Sequence, residues 1–136
     1  MITTSKQFSF KAKDFFDYLE SQLIPAIKKS RGNNMPVKIT KGTKYEMDDT
    51  KSEITEYERA KVYAAHFTTP RLELTIRYTT EDNDDGVLIT FSEDMLSFDR
   101  EKHGKLQTFF YNWQLKMGAK KELKRMGDNI YANMAA

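Results

Sequence analysis

Residues 71–91 read RLELTIRYTTEDNDDGVLITF, and the two halves of this stretch obey one rule. Leu72, Leu74, Ile76 and Tyr78 alternate with Glu73, Thr75, Arg77 and Thr79. After Asn83-Asp84-Asp85-Gly86, Val87, Ile89 and Phe91 alternate with Leu88, Thr90 and Ser92. A period of two sends successive side chains to opposite faces of a strand, so each half predicts a strand with one buried and one wet face. The Asp-Gly step supplies the positive φ that a tight hairpin needs. Strands wet on one side only are the habit of antiparallel sheets.

The same pattern extends upstream. Residues 6–11 (KQFSFK) put Phe8 and Phe10 on one side, residues 43–47 put Thr43, Tyr45 and Met47 on one side, and residues 62–69 do so with Tyr63, Ala65 and Phe67. Residues 52–59 (SEITEYER) are compatible with a strand but poorly patterned. Between the first two strands the spacing turns helical: Phe15, Phe16, Leu19, Leu23 and Ile27 fall along one stripe. Pro25 removes a backbone donor and crowds the preceding turn, which predicts a kink or a break near residues 21–23. Gly32 and its asparagine neighbours end the segment.

Downstream, residues 101–133 are helical in period. Leu106, Phe109, Phe110, Trp113 and Met117 form one apolar stripe, which beyond Gly118 moves around to Leu123, Met126, Ile130 and Met134. The first half is expected to cover the sheet. The second is expected to be looser, bent or docked elsewhere, because Gly118 and Gly127 each weaken the helix by ~1 kcal/mol relative to alanine.

Composition narrows the function classes. A chain of 136 residues fits one domain, taken as residues 1–136, with enough length to bury a core unaided. Without cysteine there is no disulfide framework, thiol nucleophile or cysteine zinc site. No signal peptide precedes residue 6 and no apolar run approaches a membrane span, so a cytoplasmic location is expected. The 22 basic and 20 acidic residues nearly cancel, which disfavours nucleic-acid binding.

Phe8-Ser9-Phe10, the following Ala12-Lys13-Asp14-Phe15-Phe16-Asp17-Tyr18-Leu19, the strands and the closing helix together resemble the helix-grip fold of the START-like, or polyketide cyclase-like (SRPBCC), superfamily. More narrowly, the KDFFDYL helix start, Lys41-Gly42-Thr43-Lys44-Tyr45 and the basic C-terminal helix resemble a Firmicutes family defined by a domain of unknown function. The resemblance implies an α+β fold. Its curved antiparallel sheet of about six strands would carry a short N-terminal helical segment and be covered on its apolar face by a long C-terminal helix. Members of the wider superfamily bind apolar or amphipathic molecules between sheet and helix. The narrow family brings no catalytic residues.

Several residues are candidates for a site. Tyr45, Tyr63, Phe67, Tyr78 and Phe91 lie on apolar strand faces and Trp113 on the covering helix. These rings could line a ligand cavity, although core filling with hydroxyls at the rim is the expectation. Glu93 continues the inward phase of Phe91. The expectation is that the strand has reached the sheet edge there and the carboxylate is wet. His66 falls on the outward phase and His103 precedes the helix; neither has the partners of a metal site, and no metal or cofactor is expected. Lys116, Lys120, Lys121, Lys124 and Arg125 form a basic cluster suited to an acidic partner or simply to solvation.

Three readings follow. The first is a non-catalytic module holding a small apolar or amphipathic molecule. The second is an interaction or regulatory module using the outer sheet face (Thr75, Arg77, Thr90) or the basic cluster; the outer face of a one-sided sheet can also mediate a homodimer. The third, ranked last, is a cyclase- or hydrolase-like enzyme using Glu93, Tyr63 and Tyr78 as acid–base groups. No nucleophile elbow or phosphate loop is present to favour it.

Overall fold

The computed structural model describes residues 2–70, 72–98 and 105–135, with side chains described throughout except at 72, 96–98, 105–117 and 135. The chain runs β1 (Ile2–Phe8), α1 (Ala12–Arg31), β2 (Lys44–Met47), β3 (Thr50–Glu58), β4 (Val62–Thr68), β5 (Leu72–Asn83), β6 (Gly86–Phe98) and α2 (Lys105–Ala135). The strands form one six-stranded antiparallel sheet in the order β1-β6-β5-β4-β3-β2. From β2 to β6 it is a meander, and β1 closes it by pairing with β6.

The hairpin that opened the sequence reading is present, with Asn83 paired to Gly86. The need for glycine is sharper than a general turn preference. Gly86 has φ 140°, and a Cβ on it would lie 2.1 Å from the Phe8 carbonyl oxygen. The weak pattern of residues 52–59 also has a cause. The register between β3 and β4 shifts between Ile54 and Glu56, so Ser52 and Ile54 are buried before the bulge and the inward phase resumes at Tyr57.

Directly opposed rings cross four strands: Tyr57 faces Tyr63, Tyr63 faces Tyr78, and Tyr78 faces Phe91. Their centroids are 6.4, 6.2 and 4.6 Å apart. Helix α1 lies on this ladder, with Phe15 5.4 Å from Tyr78 and Phe16 5.8 Å from Tyr57. Such pairs are the unit of stabilisation in a sheet, and here they carry a helix as well.

Helix α1 corrects the sequence reading. It runs unbroken for 20 residues through Pro25, so it is neither short nor interrupted. Pro25 is exposed, so the carbonyl that lacks its usual donor lies on the wet side. Leu23 before it and Ile27 after it are both buried, which holds the two turns on one packed stripe. The helix ends at Gly32, φ 72°, whose N–H donates to the Lys28 carbonyl at 2.9 Å. Its start is held from across the fold: the Ala12 N–H donates to Asp82 Oδ1 at 2.8 Å.

The second half of α2 is likewise neither loose nor docked elsewhere. Ala119, Leu123, Met126 and Ile130 are buried in the same core as the ladder, and of the expected stripe only Met134 is exposed. Gly127 makes this possible, since a Cβ there would fall 2.2 Å from Phe8 Cε1. The expected cover from Leu106 to Met117, Trp113 included, falls on side chains outside those described. Among the described residues the cover is therefore shared by α1 and the C-terminal half of α2.

Candidate functional site

The sheet's two faces differ in what they offer. On the outer face, charges and hydroxyls meet one another. Arg77 Nε donates to Glu56 Oε2 at 2.8 Å, across the small side of Ala64. Ser5 and Thr90 share a 2.9 Å hydrogen bond, and Lys44 sits 3.7 Å from Glu53. His66 points to this face as the alternation predicts. It has a neighbour that spacing did not reveal: Nε2 lies 2.6 Å from Glu73 Oε1, off the line a hydrogen bond requires. His103 lies outside the described residues.

Along the inner face, cover is uneven. Tyr45, Tyr63, Tyr78 and Phe91 are all buried. Burial pushes the Tyr63 and Tyr78 hydroxyls well above the ordinary tyrosine range. The rings are core, as expected, but the hydroxyls of Tyr63 and Tyr78 lie well inside rather than at a wet rim. Phe67 and Ile76, on the same face, are only half-buried. Glu93 is the clearest correction. β6 continues to Phe98, so Glu93 is not at the end of its strand; it stands mid-strand between Ile2 and Ile76. It is half-buried, and desolvation raises its carboxyl above the usual value, with no described cation opposing the shift.

A solvent-open pocket of about 190 Å³ lies where the sheet, α1 and α2 meet. The sheet contributes Tyr63, Ile76 and Tyr78; α1 contributes Tyr18, Leu19, Gln22 and Leu23; α2 contributes Glu122, Arg125 and Met126. Its lining mixes apolar side chains (Leu19, Leu23, Ile76 and Met126) with polar groups from all three elements, a composition compatible with a small-molecule site. A much larger depression, about 940 Å³, lies at the β2 edge. Residues of both sheet faces line it, Tyr45 and Ser52 from the inner and Glu53 and His66 from the outer. It therefore wraps the rim of the sheet and, like the smaller pocket, is open to solvent.

The candidate residues divide accordingly. Tyr63 and Tyr78 reach the cavity; Phe91 stacks behind Tyr78; Tyr45 faces the rim depression; Phe67 and Glu93 lie on the half-buried inner face. Trp113 and Lys116 have side chains outside those described. Lys120, Lys121 and Lys124 are exposed, but Arg125 is not a free cation. Its Nε and Nη2 donate to the two carboxylate oxygens of Glu122 at 3.0 and 2.5 Å, and it lines the cavity. Sequence spacing missed Tyr18, Gln22 and Glu122. All three belong to helices whose relative placement no local pattern encodes. Among the described residues no cluster of three or more metal-ligating side chains occurs, and no helix is long and apolar enough to cross a membrane.

This architecture, an antiparallel sheet gripped by two helices, is the helix-grip fold of polyketide cyclase-like proteins. Solved structures share it at low identity. The Mesorhizobium loti protein MLL2253 is 14% identical, with a TM-score of 0.67 over 97% of this chain and 96% of that one. Ara h 8.0201 is 11% identical, with a TM-score of 0.63 over 96% and 97%. DynU16, a protein of the dynemicin biosynthetic locus, is 11% identical, with a TM-score of 0.65 over 97% of this chain but 47% of that one. The chain belongs to the family described as a domain of unknown function, DUF3284, which matches residues 2–112. No curated protein matches the sequence.

Proposed function

We propose that this protein binds a small apolar or amphipathic molecule between the sheet and α2, as a non-catalytic module acting in the cytoplasm as one domain. The observation that carries the reading is the pocket between the sheet and the two helices, which adjoins the half-buried inner face at Ile76. Apolar side chains on an inward strand face are normally sealed, as the ring ladder is. Among the described residues, Ile76 and the desolvated Glu93 opposite it, with Phe67 further along the face, are incompletely covered, which supports a guest there. Among the described residues an outer-face contact has less support, since Arg77 and Thr90 already have partners there.

Native mass spectrometry of protein purified from its own cells tests this directly. A non-covalent small-molecule adduct that is lost on denaturation is expected, together with a thermal shift when the same compound is added back. Absence of any adduct, with no thermal shift across a lipid and metabolite library, would overturn the reading.

A further inference from the structure

The polar lining of the cavity is unbalanced in a way that specifies its guest. Tyr78 is 4% exposed, yet among the described residues its hydroxyl donates only to the thioether of Met126, at 3.5 Å. A thioether is a weak acceptor, so a buried O–H donor is left poorly satisfied at the cavity wall. Tyr18 OH accepts from Asn129 Nδ2 at 3.2 Å, which leaves its own proton to donate. Glu122 is the charged acceptor of the wall; Arg125 donates to it through Nε and Nη2 and also interacts with the Tyr18 hydroxyl. The wall therefore sets a buried O–H donor that lacks a strong acceptor beside a guanidinium whose charge is only partly met by its carboxylate neighbour.

We infer that the cavity takes a small organic acid, its carboxylate received by the Tyr78 hydroxyl and the Arg125 guanidinium and its apolar body lying against Leu23, Ile76 and Met126. This deepens the ligand-binding reading and rests on it. An anion gives the Tyr78 O–H a strong acceptor in place of sulfur, and arginine suits a carboxylate through its planar donor fork. A dry cavity of about 150 Å³ holds benzene, so this solvent-open pocket of about 190 Å³ seats one ring with a short acidic arm.

The test is calorimetric titration of the full chain with phenylacetate and with its neutral, near-isosteric amide, phenylacetamide, alongside fluorescence of the neutral apolar dye N-phenyl-1-naphthylamine. Phenylacetate is expected to bind about tenfold or more tightly than the amide, the range of one hydrogen bond to a charged group. Tyr78→Phe keeps the ring in the ladder and should weaken the acid by about tenfold. Arg125→Met should erase the preference for acid over amide, and Glu122→Gln, by removing a like charge, should strengthen acid binding. Equal binding of acid and amide, or an acid affinity unchanged in both Tyr78→Phe and Arg125→Met, overturns the inference. If the dye binds and phenylacetate does not, the acid class is wrong while the ligand-binding reading stands. If neither binds, both fail.

Discussion

Two regions of one sheet face have the same alternation and opposite fates. Under α1, Tyr57, Tyr63, Tyr78 and Phe91 stand in register across four strands with Phe15 and Phe16 pressed on them. One pair further along, Ile76 opposes Glu93 and Ala65 on the same face, and both Ile76 and Glu93 are only half-buried. Alternation decides which side chains point inward. Whether those side chains become core or cavity wall depends on what lies over them.

The comparison can be broken in graded ways. Phe16 is fully buried, so Phe16→Ala should cost about 3–5 kcal/mol in urea denaturation, whereas Ile76→Ala should cost at most ~2 kcal/mol because part of its surface is already wet. Equal losses would mean that the two regions are equally packed. Next is the seating of α2. Gly127→Ala drives a methyl into Phe8 and should cost about 1–3 kcal/mol despite the better helix propensity. Gly118→Ala meets nothing within 4 Å and should gain up to ~1 kcal/mol. The sign difference between these two variants, read as melting temperatures, reports whether α2 docks through its C-terminal half.

A smaller effect concerns α1, which seals the ladder. Asp82→Ala removes the acceptor for the Ala12 N–H and should cost about 1 kcal/mol, with amide exchange quickening first at the start of α1. The smallest concerns Glu93. Its carboxyl is raised in the folded state, so the fold holds that proton more tightly than the unfolded chain does. The contribution is therefore fully present below the ordinary carboxyl value of 4.5 and is lost as pH rises through the raised one. Glu93→Gln should flatten that part of the stability–pH curve and raise stability near neutrality by under ~1 kcal/mol. A curve unchanged by the substitution would mean that Glu93 is as wet as an edge residue.

Much of this was legible in local pattern. The hairpin at residues 83–86, the inward set Tyr63, Ala65, Ile76 and Tyr78, and the outward position of His66 all follow from a period of two. The weak segment at residues 52–59 was weak because a bulge shifts its phase, and a bulge is an agreement between two strands. Pro25 misled because a proline's cost depends on whether the bereaved carbonyl is wet, which one helix alone does not reveal. Arg125 misled in a related way. It reads as one of five cations, but the Glu122 side chain three residues earlier engages it and turns it toward the cavity.

The sequence by itself determined the elements, the apolar side of each and the antiparallel character of the sheet, because these depend on spacing along the chain and on the fixed periods of helix and strand. The tertiary structure alone decided that α1 and the C-terminal half of α2 share the cover, that Glu93 stands mid-strand, and that Tyr18, Tyr78 and Arg125 converge on one small space. Those facts depend on how helices distant in sequence settle on the sheet. That settling is governed by shape, by a glycine making room for Phe8, and by an aspartate reaching α1 from 70 residues away. No local period records any of them.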